Sequence, residues 1–370
     1  MGMTPADFAA RVRSIASSIG FDMRNLILGG DHLGPNPWRK LPAEQALSKA
    51  DSMVAAYVAA GFTKIHLDPS MGCAGEPEAL DDELTAERAV RLASIAEATA
   101  AHQNLQPPHY IIGTEVPPPG GARHALDFID PTSVDRAQET LAVFQRAFEI
   151  SGLKDAFSRV VALVVQPGVE FGHDTVIQHD STRAQSLSHS PDNTNLVFEA
   201  HSTDYQAPVR LAEVVRDQFC ILKVGPALTF ALREALYGLD LIASEPVPGY
   251  PQRALASAME KLTLAEPRWW EPFYPGDVNV RRLWRHYSYS DRIRYYWTRP
   301  EAVGAVERLM AALSGVVIPA PLLRQFLPHL SHNTSEPMET SEVLVLASID
   351  RVLRDYAGAC GFERVPRTQR

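Results

Sequence analysis

Asp31 and His32 stand side by side in the string NLILGGDHLGPN, directly after an apolar run and two glycines. A carboxylate beside an imidazole couples a proton-transfer group to a neutral nitrogen ligand, and paired glycines let backbone approach a bound molecule closely. An Asx-turn that only closes a loop would use the same dipeptide. Glu115, in GTEVPPPGG, follows the run YIIG and precedes three prolines that stiffen its loop. A carboxylate held rigidly there suits acid or base work, and one bonded to backbone N–H groups or an arginine would have the same surroundings. Glu170 in QPGVEFGH and His201 in FEAHSTDYQ add a second carboxylate and a second imidazole. Together with His32 they make a candidate mixed N/O site for zinc or a similar divalent ion. His173, His179 and His189 lie in a polar stretch and read as ordinary surface residues.

A second set of polar residues closes other apolar runs. Asp68 and Ser70 follow KIHL, Ser202, Thr203 and Asp204 follow VFEAH, and Lys223 and Gly225 follow FCIL. Late strand ends of barrels often bind phosphate through loop N–H groups and a helix N-terminus, so the residues after VFEAH and FCIL are candidate contacts to a phosphorylated substrate, with Asp68 and Ser70 as further candidate substrate-binding residues. For Lys223 an ion pair inside the fold is the alternative. The nucleotide-binding patterns G-x-x-x-x-G-K-[ST] and G-x-G-x-x-G are absent, as is the G-x-S-x-G elbow.

These residues need elements to hold them, and the spacing supplies a regular series. Thr4 before Pro5 reads as the cap of a helix running to about Gly20, and helices are expected over 43–60, 85–101, 131–151, 181–190 and 208–218. Between them fall six apolar runs with polar C-terminal tips, the pattern of a parallel α/β sheet with right-handed crossovers. A closed barrel would bring all the tips to one mouth, whereas an open sheet would join only those at its switch point. The expected architecture is a TIM-type (β/α)8 barrel over 1–240 with a helical, aromatic-rich extension over 241–370 packed on it. That extension includes EPRWWEPFYPGDVNVRRLWRHYSYSDRIRYYW, read as a cover or an oligomer contact, and closing helices at 300–313 and 341–356.

The 370 residues carry 35 basic and 44 acidic side chains, a net charge of −9 without a basic block, which argues against nucleic acid as a partner. Cys73, Cys220 and Cys360 are far apart, giving neither a disulfide framework nor a cysteine metal site, and a reducing cytoplasm is expected. No apolar run reaches the roughly 18 residues of a membrane span.

Taken as a set, LGGDHLGPN, GFTKIHLD, YIIGTEVPPPGGA, VVQPGVEF, FEAHSTDYQ, ILKVGPALTFALREA and YSYSDRIRYYW closely resemble the Z-type subunit of class II D-tagatose-1,6-bisphosphate aldolase, from residue 3 to about residue 360. That family is similar in turn to the zinc-dependent class II ketose-bisphosphate aldolases. The resemblance implies Asp31 as proton donor, His32 and His201 as zinc ligands with Glu170 in the place of a third histidine, Glu115 as a catalytic carboxylate, and a phosphate site around Ser202 and Lys223. It implies work on or beside tagatose phosphates, in galactitol and tagatose catabolism, and partnership with a Y-type aldolase subunit in an oligomer. Relatives assigned as D-tagatose 6-phosphate 4-epimerases imply a retro-aldol and aldol alternative, and a kinase role is unattractive without a Gly-rich loop. A non-catalytic stabilising partner is the remaining alternative. The match begins at MTPADF, on the helix that follows the second strand in the family, so a barrel lacking its first two strands is expected.

Overall fold

Side-chain caps set several of the helix starts. Thr4 Oγ1 accepts from the Asp7 N–H and Asp7 Oδ2 accepts from the Thr4 N–H, so α1 (Pro5–Ser18) opens on a capping box with proline in its first turn. The computed structural model describes residues 2–113, 129–190, 196–333 and 340–362. After α1 come β1 (Gly29–Leu33), α2 (Ala43–Ala59), β2 (Lys64–Leu67), α3 (Asp82–His102) and β3 (His109–Ile112). The chain continues through α4 (Val134–Ile150), α5 (Lys154–Phe157), β4 (Val160–Val165), β5 (Glu170–Phe171), β6 (Val176–Ile177), α6 (Ser181–Ser188), β7 (Val197–Ala200), α7 (Pro208–Arg216), β8 (Phe219–Leu222) and α8 (Pro226–Ala243). Helix α3 begins ahead of the expected Thr85 because the Asp81 carboxylate accepts from the Leu84 N–H at 2.8 Å.

Six strands form one all-parallel sheet in the order β1-β2-β3-β4-β7-β8, with β5 and β6 set apart as a separate pair between β4 and β7. Registers such as Ile65 with Tyr110 and Ala162 with Val197 fix which side chains share a face. Period-two alternation sends Ile65, Leu67, Tyr110, Ile112, Leu163, Val165, Phe198 and Ala200 to the helical layer, where they join Val54, Ala93 and Phe144 in one core. The opposite face carries a smaller cluster of Ile111, Ala162 and Val164. The sheet curls enough that Lys223, just past β8, places its Nζ 3.0 Å from Nε2 of His32 on β1. Among the described residues β1 and β8 are not paired, so the sheet has the form of a partial (β/α) barrel and not of a closed eight-stranded one.

Beyond α8 lie α9 (Ala254–Ala265), α10 (Val278–Tyr287), α11 (Pro300–Leu313), α12 (Ala320–Phe326) and α13 (Ser341–Ala359). They gather a second apolar core around Leu239, Ile242, Met259, Trp270, Tyr274, Tyr296, Leu309 and Leu323. The aromatic segment near residue 290 is tied to the sheet layer. Asp291 takes Arg233 Nε at 2.9 Å and Thr229 Oγ1 at 2.6 Å, and the Tyr289 ring lies 4.5 Å from that of Tyr205.

Two local expectations change. Glu170 does not end a strand of the main sheet: it lies on β5, which pairs antiparallel with β6. The Gln166 side chain turns the chain there, its Oε1 accepting from the N–H groups of Gly168 and Val169, with Gly168 at φ +87°. His179 is not a surface residue. It is buried, with Nε2 2.8 Å from Asp217 and its ring against Phe219.

Candidate active site

Three imidazoles and a carboxylate meet where β1, β2 and β7 end. His66 lies within β2, Glu199 within β7 and His201 directly after it, and one ligand atom from each lies within 4.8 Å of the other two. The His32 ring sits 5.2 Å from that of His66 and 5.3 Å from that of His201. Asp68 Oδ2 holds His32 Nδ1 at 2.9 Å, and Ser70 Oγ donates to the other oxygen of Asp68 at 2.8 Å. This contact depends on Gly34: a Cβ there would stand 1.9 Å from the Asp68 carbonyl oxygen, so only glycine lets the two loops pass. His32 at φ 52° and Ser202 at φ 54° are both in the left-handed region, and strain of this kind concentrates where side-chain placement matters.

Charge organises the cluster. Glu199 is fully buried, which by itself raises a carboxyl pKa, but the bond to His201 Nε2 and the Lys223 and Lys64 ammoniums outweigh burial and bring it down to about 2. Its Oε2 lies 3.2 Å from Lys64 Nζ, while Oε1 lies 2.9 Å from His201 Nε2 and 3.5 Å from Lys223 Nζ. Lys64 Nζ also reaches Asp31 Oδ1 at 2.6 Å. Burial opposes its charge, yet the Glu199 and Asp31 carboxylates raise its pKa above the ordinary lysine value. His66 is held well below the usual imidazole value, first by burial and then by the charges of Lys223, His32 and His201, and so is a neutral donor near neutral pH.

The donor set fits a divalent metal. His66 Nε2 is buried with no hydrogen-bond partner among the described residues, a costly arrangement for a nitrogen unless something takes its lone pair or its proton. Two imidazoles and one ionised carboxylate are a common three-ligand set that leaves a coordination position open.

Of the residues singled out in the sequence, Asp31, His32, Asp68, Ser70, His201 and Lys223 come together here. Glu170 is not among the three converging donors, and its Oε1 accepts from the Phe171 N–H. Glu115 lies outside the described residues. His66 and Glu199 escape a reading that looks for polar tips, because each sits inside an apolar strand. The signal was a charged or polar side chain at an inward-pointing position of KIHL and VFEA.

The expected phosphate contacts have other partners. Asp204 Oδ1 accepts from the N–H groups of Gly225 and Ala227 at 2.9 and 2.8 Å and so caps the start of α8 itself. Burial pushes the Asp204 pKa up, against the pull of these backbone bonds. Thr203 Oγ1 donates to the Lys223 carbonyl at 2.6 Å, and Tyr356 Oη on α13 donates to the Thr203 carbonyl at 2.8 Å.

A family model described as D-tagatose-1,6-bisphosphate aldolase subunit GatZ/KbaZ-like matches residues 1–361. The chain belongs to this family. One relative, D-tagatose 6-phosphate 4-epimerase of Agrobacterium fabrum, is 57% identical over 364 residues, spanning 98% of this chain and 85% of that protein. A crystal structure of a probable tagatose 6 phosphate kinase from Sinorhizobium meliloti 1021 matches with a TM-score of 0.87 at 50% identity, covering 97% of this chain and 89% of that one. The three descriptions differ in the reaction and share a tagatose phosphate. Among the described residues no helix is long and apolar enough to cross a membrane.

Proposed function

We propose that the chain is a metal-dependent epimerase that inverts C4 of a ketose 6-phosphate of the D-tagatose type. The observation that carries this reading is the buried convergence of His66, Glu199 and His201 beside Asp31 and two lysines, and the name of the 57% identical Agrobacterium relative supports it. His66, Glu199 and His201 would hold the ion, which when bound supplies Lewis acidity at the C2 carbonyl of the ketose.

Asp31, partly exposed and fixed 2.6 Å from Lys64 Nζ, accepts the proton of the C4 hydroxyl. As the C4 oxygen forms its carbonyl, the C3–C4 bond breaks and its electron pair passes to the C2 carbonyl, leaving the enediolate of dihydroxyacetone and glyceraldehyde 3-phosphate. The Lys223 and Lys64 ammoniums lie where they compensate the negative charge that develops. Rotation about C4–C5 turns the other face of the aldehyde toward the enediolate. The C3–C4 bond re-forms, and Asp31 returns its proton to the C4 oxygen, giving fructose 6-phosphate.

Purified protein supplied with D-tagatose 6-phosphate and Zn2+, Mn2+ or Mg2+ in turn should form fructose 6-phosphate, read by coupling to glucose-6-phosphate formation and NADPH. Absence of product with every metal overturns the reading. The family description as an aldolase subunit favours a second one, a non-catalytic partner that stabilises a Y-type aldolase. Co-expression would then raise aldolase activity even with Asp31→Ala.

A further inference from the structure

We propose that Asp68 is a positioning residue: by fixing the tautomer of His32 it holds the Lys223 ammonium at one place in the mouth. The inference rests on the proposed function only for what that ammonium does there, which is to compensate the charge that develops on the substrate. Lys223 follows β8 with its backbone pinned, the N–H donating to the Ala200 carbonyl at 3.0 Å and the carbonyl accepting from Thr203 Oγ1 at 2.6 Å. The flexible four-carbon stem beyond that point places its charge only where acceptors catch Nζ. His32 Nε2 catches it at 3.0 Å, a shorter contact than those to His66 Nδ1 at 3.3 Å and Glu199 Oε1 at 3.5 Å.

An ammonium carries three donors and no lone pair, so the ring nitrogen that faces it must accept. His32 therefore keeps a lone pair at Nε2 and its proton at Nδ1, where Asp68 Oδ2 accepts it at 2.9 Å. Both ends of the ring agree on one tautomer, set by the carboxylate behind it. Asp68 can impose this because it is itself held. It is buried, Ser70 Oγ donates to its Oδ1 at 2.8 Å, and its N–H donates to the Leu33 carbonyl at 3.0 Å. The His32 side chain is 40% exposed, so the series Ser70, Asp68, His32, Lys223 runs from the buried floor of the site to its open side. Without a carboxylate at Nδ1 the ring is free to carry its proton at Nε2. It would then turn an N–H toward an ammonium that has nothing to accept it, and the stem would be released.

Two measurements on the full chain test this. Nitrogen-15 NMR of histidine-labelled wild type near pH 7.5, with His32 assigned by the signal lost in His32→Gln, should show Nδ1 protonated and Nε2 bare. A ring protonated at Nε2 overturns the inference, and this reading needs no Asp68 variant to fold. The second is a double-mutant cycle in the tagatose 6-phosphate assay. An amide has the shape of Asp68 but turns an N–H toward Nδ1, so Asp68→Asn should lower kcat by about a hundredfold while KM changes less than about threefold. Lys223→Met should do the same, and Asp68→Asn added to Lys223→Met should cost no more than about a further threefold, because the carboxylate acts through the lysine. Losses that multiply, or an Asp68→Asn protein with unaltered kcat, overturn the inference. A wild type that shows the stated tautomer and does not epimerise tagatose 6-phosphate defeats the proposed reaction alone. The Lys223 ammonium signal then replaces the kinetics: it should be protected from exchange in the wild type and lost in Asp68→Asn, and its persistence there overturns the inference.

Discussion

Glu199→Gln is expected to destabilise the chelator-treated protein by about 3 kcal/mol at pH 7. The carboxylate is buried between His201, Lys64 and Lys223, and its pKa is lowered from 4.5 to about 2 in the folded chain. At about 1.4 kcal/mol per pKa unit, the folded state favours the charged form by about 3 kcal/mol relative to the unfolded chain. A folded pKa below the unfolded one means that this contribution is present above 4.5 and is lost as the pH falls from 4.5 through 2. A neutral amide has none of it, so the gap between wild type and variant should be widest at neutral pH and narrow below pH 4.5. Urea unfolding followed by tryptophan fluorescence at pH 7, 5 and 4 measures both. A gap under about 1 kcal/mol at pH 7, or one that does not narrow on acidification, would refute the view that the two lysines and His201 outweigh the burial of this carboxylate.

His286 should make the chain acid-sensitive in a different window. Burial, only partly offset by the Glu260 carboxylate, lowers its pKa from 6.5 to about 4, so the unfolded chain takes up a proton between these values while the folded chain does not. Stability should fall by about 1 kcal/mol between pH 7.5 and 5.5, and His286→Asn should lose this component in the same urea titration. Gly34→Ala puts a methyl group against the Asp68 carbonyl and is expected to cost about 2–3 kcal/mol, read as a lowered Tm. Tyr356→Phe removes the bond to the Thr203 carbonyl, and a loss of about 1 kcal/mol is expected, with kcat reduced more than KM changes if α13 braces the loop that carries His201.

Much of the framework was legible because its causes are local. Apolar runs of four to six residues with polar tips, separated by capped amphipathic helices, specify a parallel sheet before any contact is known. His32, His201 and Lys223 stand at or just past strand ends and meet as a curled sheet requires, with Asp31 inside β1 beside them. What escaped depends on long-range placement. His66 and Glu199 are polar positions on an inward face, visible only once strand parity is related to the curl of the sheet. Glu170 lies on a hairpin because one glutamine side chain caps two N–H groups, a detail that composition does not encode. Asp204 turns the N-terminus of α8 from an open anion cradle into a self-capped one, a choice made by a carboxylate 21 residues earlier in the chain.

The contact between His32 on β1 and Lys223 just past β8 has a consequence for how the molecule acquires its chemistry. His32 and Lys223 are 191 residues apart in sequence and meet at 3.0 Å. Lys64 and Glu199 join the opposite flanks of the same sheet. No fragment holding only the early or only the late strands can assemble this cluster, so the site is completed as the sheet finishes curling. High sequence separation makes such contacts slow to form, and a ligand that bridges them stabilises the folded chain by mass action. Affinity at this site is thereby a gauge of global order: a substitution anywhere that lets the two ends of the sheet drift apart weakens binding before it unfolds the protein.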